Sequence, residues 1–176
     1  MGHLGVVGIG NVLMGDDALG PYVVKMLDAH FELAPGVEVL ELGTPGPDLA
    51  LHLQGFDQIV VIDTIDAAGK PGEVRILDKT QILSRGPAFA ASPHEPGLRE
   101  ALFTLELHGK GPTEVRLVGA IPASVEMHVG LSQAVQAAVP TALVETLRLL
   151  EELGACPRAR AVSRPPGLWW ELPAAS

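Results

Sequence analysis

Apolar residues fall in short runs that alternate with stretches of helical period. Leu4 to Ile9 form a six-residue apolar run closing on glycines, the pattern of a strand buried on both faces. From Ala18 the period changes: Leu19, Tyr22, Val23, Met26 and Leu27 share one helical face, predicting a helix capped by Asp16 or Asp17 and fading near Phe31. Val37–Leu42 reads as a second strand, followed by a Gly43–Pro47 turn and a short helix over Asp48–Gln54. Gln58–Ile62, with four consecutive β-branched residues, reads as a third strand ending at Asp63. Residues 64–72 are too few for a helical crossover, so Glu73–Leu77 is expected to return antiparallel as an edge strand. Beyond a Gly-, Pro- and Ser-rich loop at 85–97 come a helix over Leu98–His108, a fifth strand over Glu114–Ala120 and a long helix over Ser132–Leu153. Pro140 is expected to kink that helix and Gly154 to end it.

This alternation predicts a three-layer α/β fold. Its five-stranded, twisted, mostly parallel sheet has one antiparallel edge strand and helices on both faces. At 176 residues one domain is expected, spanning 1–154, followed by a tail at 155–176 that carries three Arg, four Pro and the Trp169–Trp170 pair. Such a tail is either loosely ordered or anchored by its tryptophans, because two adjacent exposed indoles are costly.

Composition narrows the function. A formal charge of −9 would repel phosphate backbones and anionic lipid, so neither nucleic acid nor a membrane surface is an expected partner. A cationic or metal-bearing partner fits better. The single cysteine, Cys156, excludes an internal disulfide and a Cys-rich zinc module, and a reducing cytoplasm is the simplest location. No apolar run has spanning length, and the N-terminus lacks the features of a signal peptide. Nothing in the chain implies an obligate oligomer.

In open α/β sheets, ligands bind beyond the carboxyl ends of the strands. Three chemistry-bearing segments fall there: the loop Gly8–Asp17 with Asp16 and Asp17, Asp63 at the end of the third strand, and His94 in the long loop. Two carboxylates and an imidazole from separate loops suit nickel, zinc, iron or manganese. Each has a plainer role too: Asp16 or Asp17 as a helix cap, Asp63 bonded to turn amides, His94 as a solvated loop residue. A dinucleotide reading of the glycine loop fails. Leu13 stands where the third glycine belongs, and Asp16 and Asp17 would face the pyrophosphate. No G-x-S-x-G elbow is present, and Cys156 has no nearby partner in sequence, so the chemistry rests on carboxylates and histidine.

The segment G-I-G-N-V-L-M-G-D-D-A-L-G (8–20) resembles the opening of the hydrogenase maturation endopeptidases, which finish [NiFe]-hydrogenase large subunits. The resemblance continues through I-V-V-I-D-T-I-D (59–66), Pro71-Gly72, S-P-H (92–94), L-V-G-A-I-P (117–122) and H-V-G-L-S (128–132). It implies a protease that removes a C-terminal extension from the immature large subunit after nickel insertion. The ion it implies is the client's nickel, with no intrinsic cofactor, although Ni, Cd or Zn could occupy the same site. The residues implied as ligands and catalytic groups are Asp17, Asp63 and His94, with Asp17 rather than Asp16 in the matching slot; His128 is expected to serve its loop structurally. The turn after the second strand, Glu41-Leu42-Gly43-Thr44-Pro45-Gly46, departs from the family's acidic-Gly-Gly-Thr pattern, which leaves the client isoenzyme open. Two rival readings keep the fold: a non-catalytic chaperone that binds nickel or the large subunit, and a peptidase with another protein substrate.

Overall fold

The computed structural model describes residues 2–84 and 97–171. The main sheet is built from β1 (Leu4–Ile9), β3 (Val37–Gly43), β4 (Gln58–Thr64), β5 (Val74–Asp78) and β6 (Glu114–Ala120), in the order β3-β1-β4-β6-β5. β1 runs parallel to β3 and β4, and β4 parallel to β6; β5 alone is antiparallel, paired with β6 from Val74↔Ala120 to Asp78↔Arg116. The edge strand expected from the short 64–72 connection is therefore present. The chain also forms β2 (Phe31–Glu32) and β7 (Arg158–Ala159), a two-residue antiparallel pair outside the main sheet.

The continuous apolar runs are partitioned by strand parity. Leu4, Val6, Val60, Ile62 and Val118 pack with α1 (Leu19–His30) and α5 (Gln133–Glu152). Val7, Ile59, Val61, Val115 and Leu117 pack with α2 (Leu49–Leu53), α3 (Lys79–Ser84) and α4 (Leu98–Leu107) on the other face. Both faces of the central strands are thus dry, which is why β1 and β4 show no polar alternation. α5 is continuous across the exposed Pro140 and stops at Glu152, where the Ala155 N–H closes back on the Leu150 carbonyl at 2.8 Å. No helix is long and apolar enough to cross a membrane among the described residues.

Residues 155–171 pack against the domain. β7 pairs with β2 directly after α1, and the Arg164 N–H donates to the Ala29 carbonyl. The Arg160 guanidinium donates from Nε to the Asp28 carbonyl at 2.9 Å. Trp170 is 7% exposed and meets Tyr22 edge-on with ring centroids 5.2 Å apart, whereas Trp169 is 58% exposed. The Tyr22 hydroxyl donates to Glu171 Oε1. One of the two tryptophans therefore anchors this stretch on α1, and the other faces solvent. Trp170→Ala is expected to lower the stability by about 3 kcal/mol, as for other large-to-small aromatic core substitutions. Trp169→Ala is expected to stay within about 0.5 kcal/mol; urea unfolding of the two variants checks the difference.

Candidate active site

The chain leaves β1 through α1 to reach β3 on one side, then returns through α2 to β4 on the other. The crevice where these connections diverge opens at the carboxyl ends of β1 and β4. Two close backbone approaches seat the loop there. A Cβ at Gly10 (φ +139°) would lie 1.7 Å from the Asp17 carbonyl oxygen. At Gly20 it would lie 2.2 Å from the Ile9 carbonyl oxygen and 2.6 Å from that of Ile62. These glycines let the start of α1 rest directly on the strand ends, a packing duty instead of a phosphate cradle.

A single 3-10 turn, Gly15–Ala18, precedes α1 and carries both acids of the pair. Neither caps the helix, contrary to the expectation from their position: the N-cap of α1 is Ala18, without a side-chain capping bond. The 3-10 turn displaces the helix start and redirects the carboxylates. Asp16 points inward and is fully buried. Its carboxylate accepts from the backbone N–H groups of Ala123 (2.7 Å), Ser124 (3.2 Å) and Ser132 (2.6 Å), and from the Ser132 hydroxyl (2.9 Å).

Asp17 points to the crevice and is half-buried. Its Oδ2 accepts from the Asn11 N–H at 2.7 Å and its Oδ1 from the Thr64 hydroxyl at 3.3 Å. Asp63 Oδ1 accepts from the Thr64 N–H at 2.7 Å. Thr64 thus touches both carboxylates, that of Asp17 through its side chain and that of its chain neighbour Asp63 through its main chain, at the carboxyl end of β4. His94, the third expected ligand, lies outside the described residues, as does the rest of the S-P-H segment. Among the described residues no three His, Cys, Asp or Glu side chains gather to hold an ion. Two anionic oxygen donors at the mouth of the crevice match part of the donor set for a divalent cation.

Thr64 and Asn11 hold the site and were not singled out from sequence. Strand parity carried a signal for the first: Thr64 shares the parity of Val60 and Ile62, which face α1, so its hydroxyl falls under the turn that bears Asp17. His128 acts through its main chain, accepting from the Gly15 N–H at 2.7 Å and donating to the Leu13 carbonyl at 3.0 Å. Its ring is exposed. The loop after β6 is thereby zipped alongside the Asp17 turn, with Met14 and His128 in a parallel bridge.

Residues 21–149 match the model of the family HycI, described as hydrogenase maturation protease. The chain belongs to this family. The matched span includes Asp63 and His94 and begins four residues after Asp17. The hydrogenase 2 maturation protease of Escherichia coli K12 is 36% identical over 153 residues, 85% of this chain and 91% of the relative. The hydrogenase expression/formation protein HoxM of Cupriavidus necator is 32% identical over 161 residues, 91% of this chain and 80% of the relative. The solved structure of the hydrogenase maturating endopeptidase HybD from E. coli superposes with a TM-score of 0.81 at 32% identity, covering 90% of this chain and 98% of that one. The expected three-layer architecture is the one this family of proteases adopts.

In this family member, burial pushes the Asp17 carboxyl above its ordinary value of 3.8, against the Asn11 and Thr64 hydrogen bonds that pull it down. The folded chain therefore holds this proton more tightly than the unfolded chain. The contribution favours folding below 3.8 and is lost as the pH rises through the raised value. Asp17→Asn is expected to keep or slightly raise the stability at neutral pH. It should also flatten the pH dependence across that window, read by urea unfolding at a series of pH values.

Proposed function

We propose that the chain is an endopeptidase that removes the C-terminal extension of an immature [NiFe]-hydrogenase large subunit after nickel insertion, grasping the client's nickel through Asp17, Asp63 and His94. The observation that carries this reading is that Asp17, bonded to the Thr64 hydroxyl, and Asp63, the residue before Thr64, both lie at the carboxyl end of β4 beside β1. Membership of the hydrogenase maturation proteases supplies the class of reaction. We assign the reaction to the cytoplasm, the simplest location for a chain with one cysteine.

The chemistry follows from the donors. Two carboxylates and a neutral imidazole complete the shell of a divalent ion that arrives held by the client, and this fixes the neighbouring peptide bond against the carboxylates. Hydrolysis breaks the C–N bond, delivering the water oxygen to the carbonyl carbon and a proton to the leaving amine. A carboxylate is suited to moving that proton, which makes the enzyme aspartyl-type in this sense. The desolvation that raises Asp17's proton affinity also strengthens its attraction to a cation, so occupation by the ion relieves a cost present in the free protein. A negatively charged chain is suited to a metal-bearing client and poorly suited to nucleic acid.

The test incubates the purified protein with nickel-loaded and nickel-free precursor and follows the C-terminal mass. The nickel-loaded form is expected to lose its extension and the nickel-free form to keep it. A stable complex with no change in mass would instead identify a binding chaperone. Asp17→Asn, Asp63→Asn and His94→Ala are expected to lower the processing rate by about a hundredfold or more, with the fold retained because Asp17 lies on a turn, Asp63 near a strand end, and His94 in a segment read from sequence as a loop. Normal cleavage by any of the three would remove that residue from the site.

A further inference from the structure

The Asp16 carboxylate lies within the crevice wall but does not reach the crevice. It is 0% exposed and carries hydrogen bonds from four donors. A carboxylate is expensive to bury unless its lone pairs are met, and bonds to an ionised acceptor are about twice as strong as neutral ones. The donors come from two places more than a hundred residues away in sequence, the Ala123–Ser124 corner after β6 and the first residue before α5. Ser132 has two duties: its hydroxyl donates to Asp16 and accepts from the Val135 N–H at 3.3 Å as the N-cap of α5.

The turn that bears Asp17 is one 3-10 turn long, with the Asp17 N–H on the Met14 carbonyl at 3.2 Å and the Leu19 N–H on the Asp16 carbonyl. It is also tied to distant segments, through the Gly15 N–H on His128, the Asp16 N–H on Ser124 and the four bonds to the Asp16 side chain. We infer that Asp16 is a positioning residue, which clamps the Gly15–Ala18 turn to the loop after β6 and to the start of α5 and so keeps the Asp17 carboxylate on Asn11 and Thr64. Its importance for processing rests on the reading of Asp17 as a ligand of the client's ion. A displacement of the reacting geometry by about 1 Å costs on the order of a hundredfold in rate, so a fixed turn matters more to the chemistry than to the fold.

The Asn11 amide is a direct reporter, because it donates to Asp17 Oδ2 at 2.7 Å. The experiment compares proton–nitrogen correlation spectra of the full chain with those of Asp17→Asn, Asp16→Asn and Ser132→Ala. Asp17→Asn calibrates the reporter by moving the Asn11 amide proton upfield. Asp16→Asn is expected to move it in the same direction by half or more of that displacement, and Ser132→Ala by a smaller part. A purely structural Asp16 would shift the amides of Ala123, Ser124 and Ser132 and leave Asn11 in place; that result overturns the inference. If Asp16→Asn does not fold, Ser132→Ala decides on the same reporter. Processing by Asp17→Asn, measured alongside, separates the two claims. Its loss together with an unmoved Asn11 retains the ion site and removes the clamp. Normal processing together with a moved Asn11 retains the clamp and removes Asp17 from the chemistry.

Discussion

The contact on which the rest of the molecule depends is between backbone and backbone. The turn after β1 rests on the strand ends so closely that positions 10 and 20 have no room for a side chain. This approach puts Asp17 against Thr64, and it fixes where α1 starts and which face of the sheet it covers. Strand ends leave carbonyls and amides without ladder partners, and here the incoming loop answers one of them, the Gly10 N–H donating to the Gly43 carbonyl at 2.9 Å. The crevice is thus a consequence of sheet topology, and its polarity a consequence of which residues the glycine-rich loop can bring to it.

Adjacent carboxylates in this loop have opposite environments. Asp16 is completely enclosed and met by four donors, so it serves as a tie between distant segments. Asp17 is desolvated, and among the described residues two donors meet it, one of them long at 3.3 Å. Asp63 is held at the end of β4 by the amide of the next residue. Environments that separate like groups are how a small site assigns structural and chemical work to neighbours of the same type.

The C-terminal stretch adds a second constraint on α1. Trp170 and Glu171 meet Tyr22 near its beginning, while Arg160, Arg164 and the β2–β7 pair hold its end. The helix that continues from the site-bearing turn is therefore gripped along its length by chain beyond α5 and beyond the span matched to the family. Trp170 Nε1 has no partner among the described residues, so this anchor works through apolar contact with Tyr22 and its neighbours.

The sheet was legible because its signal is local. The apolar runs at 4–9 and 59–62 are too uniform for any strand other than a doubly covered one, and the short link before Val74 excludes a crossover. Asp63 was legible as a strand-end acid, and the resemblance pointed to Asp17 over Asp16; the structure turns the two side chains to different partners. The capping role, the hold of Thr64 and Asn11, the clamp on Ser132 and the seat of Trp170 were not legible, since each joins residues whose proximity depends on the completed fold. His94 lies outside the described residues, and its place in the site stands on the S-P-H motif. Hydrophobic period and connection length act over a few residues and are written directly into the chain. Which of two neighbouring acids is buried and which is left facing a crevice is set by donors more than a hundred positions away, and only the folded chain brings those to the same point.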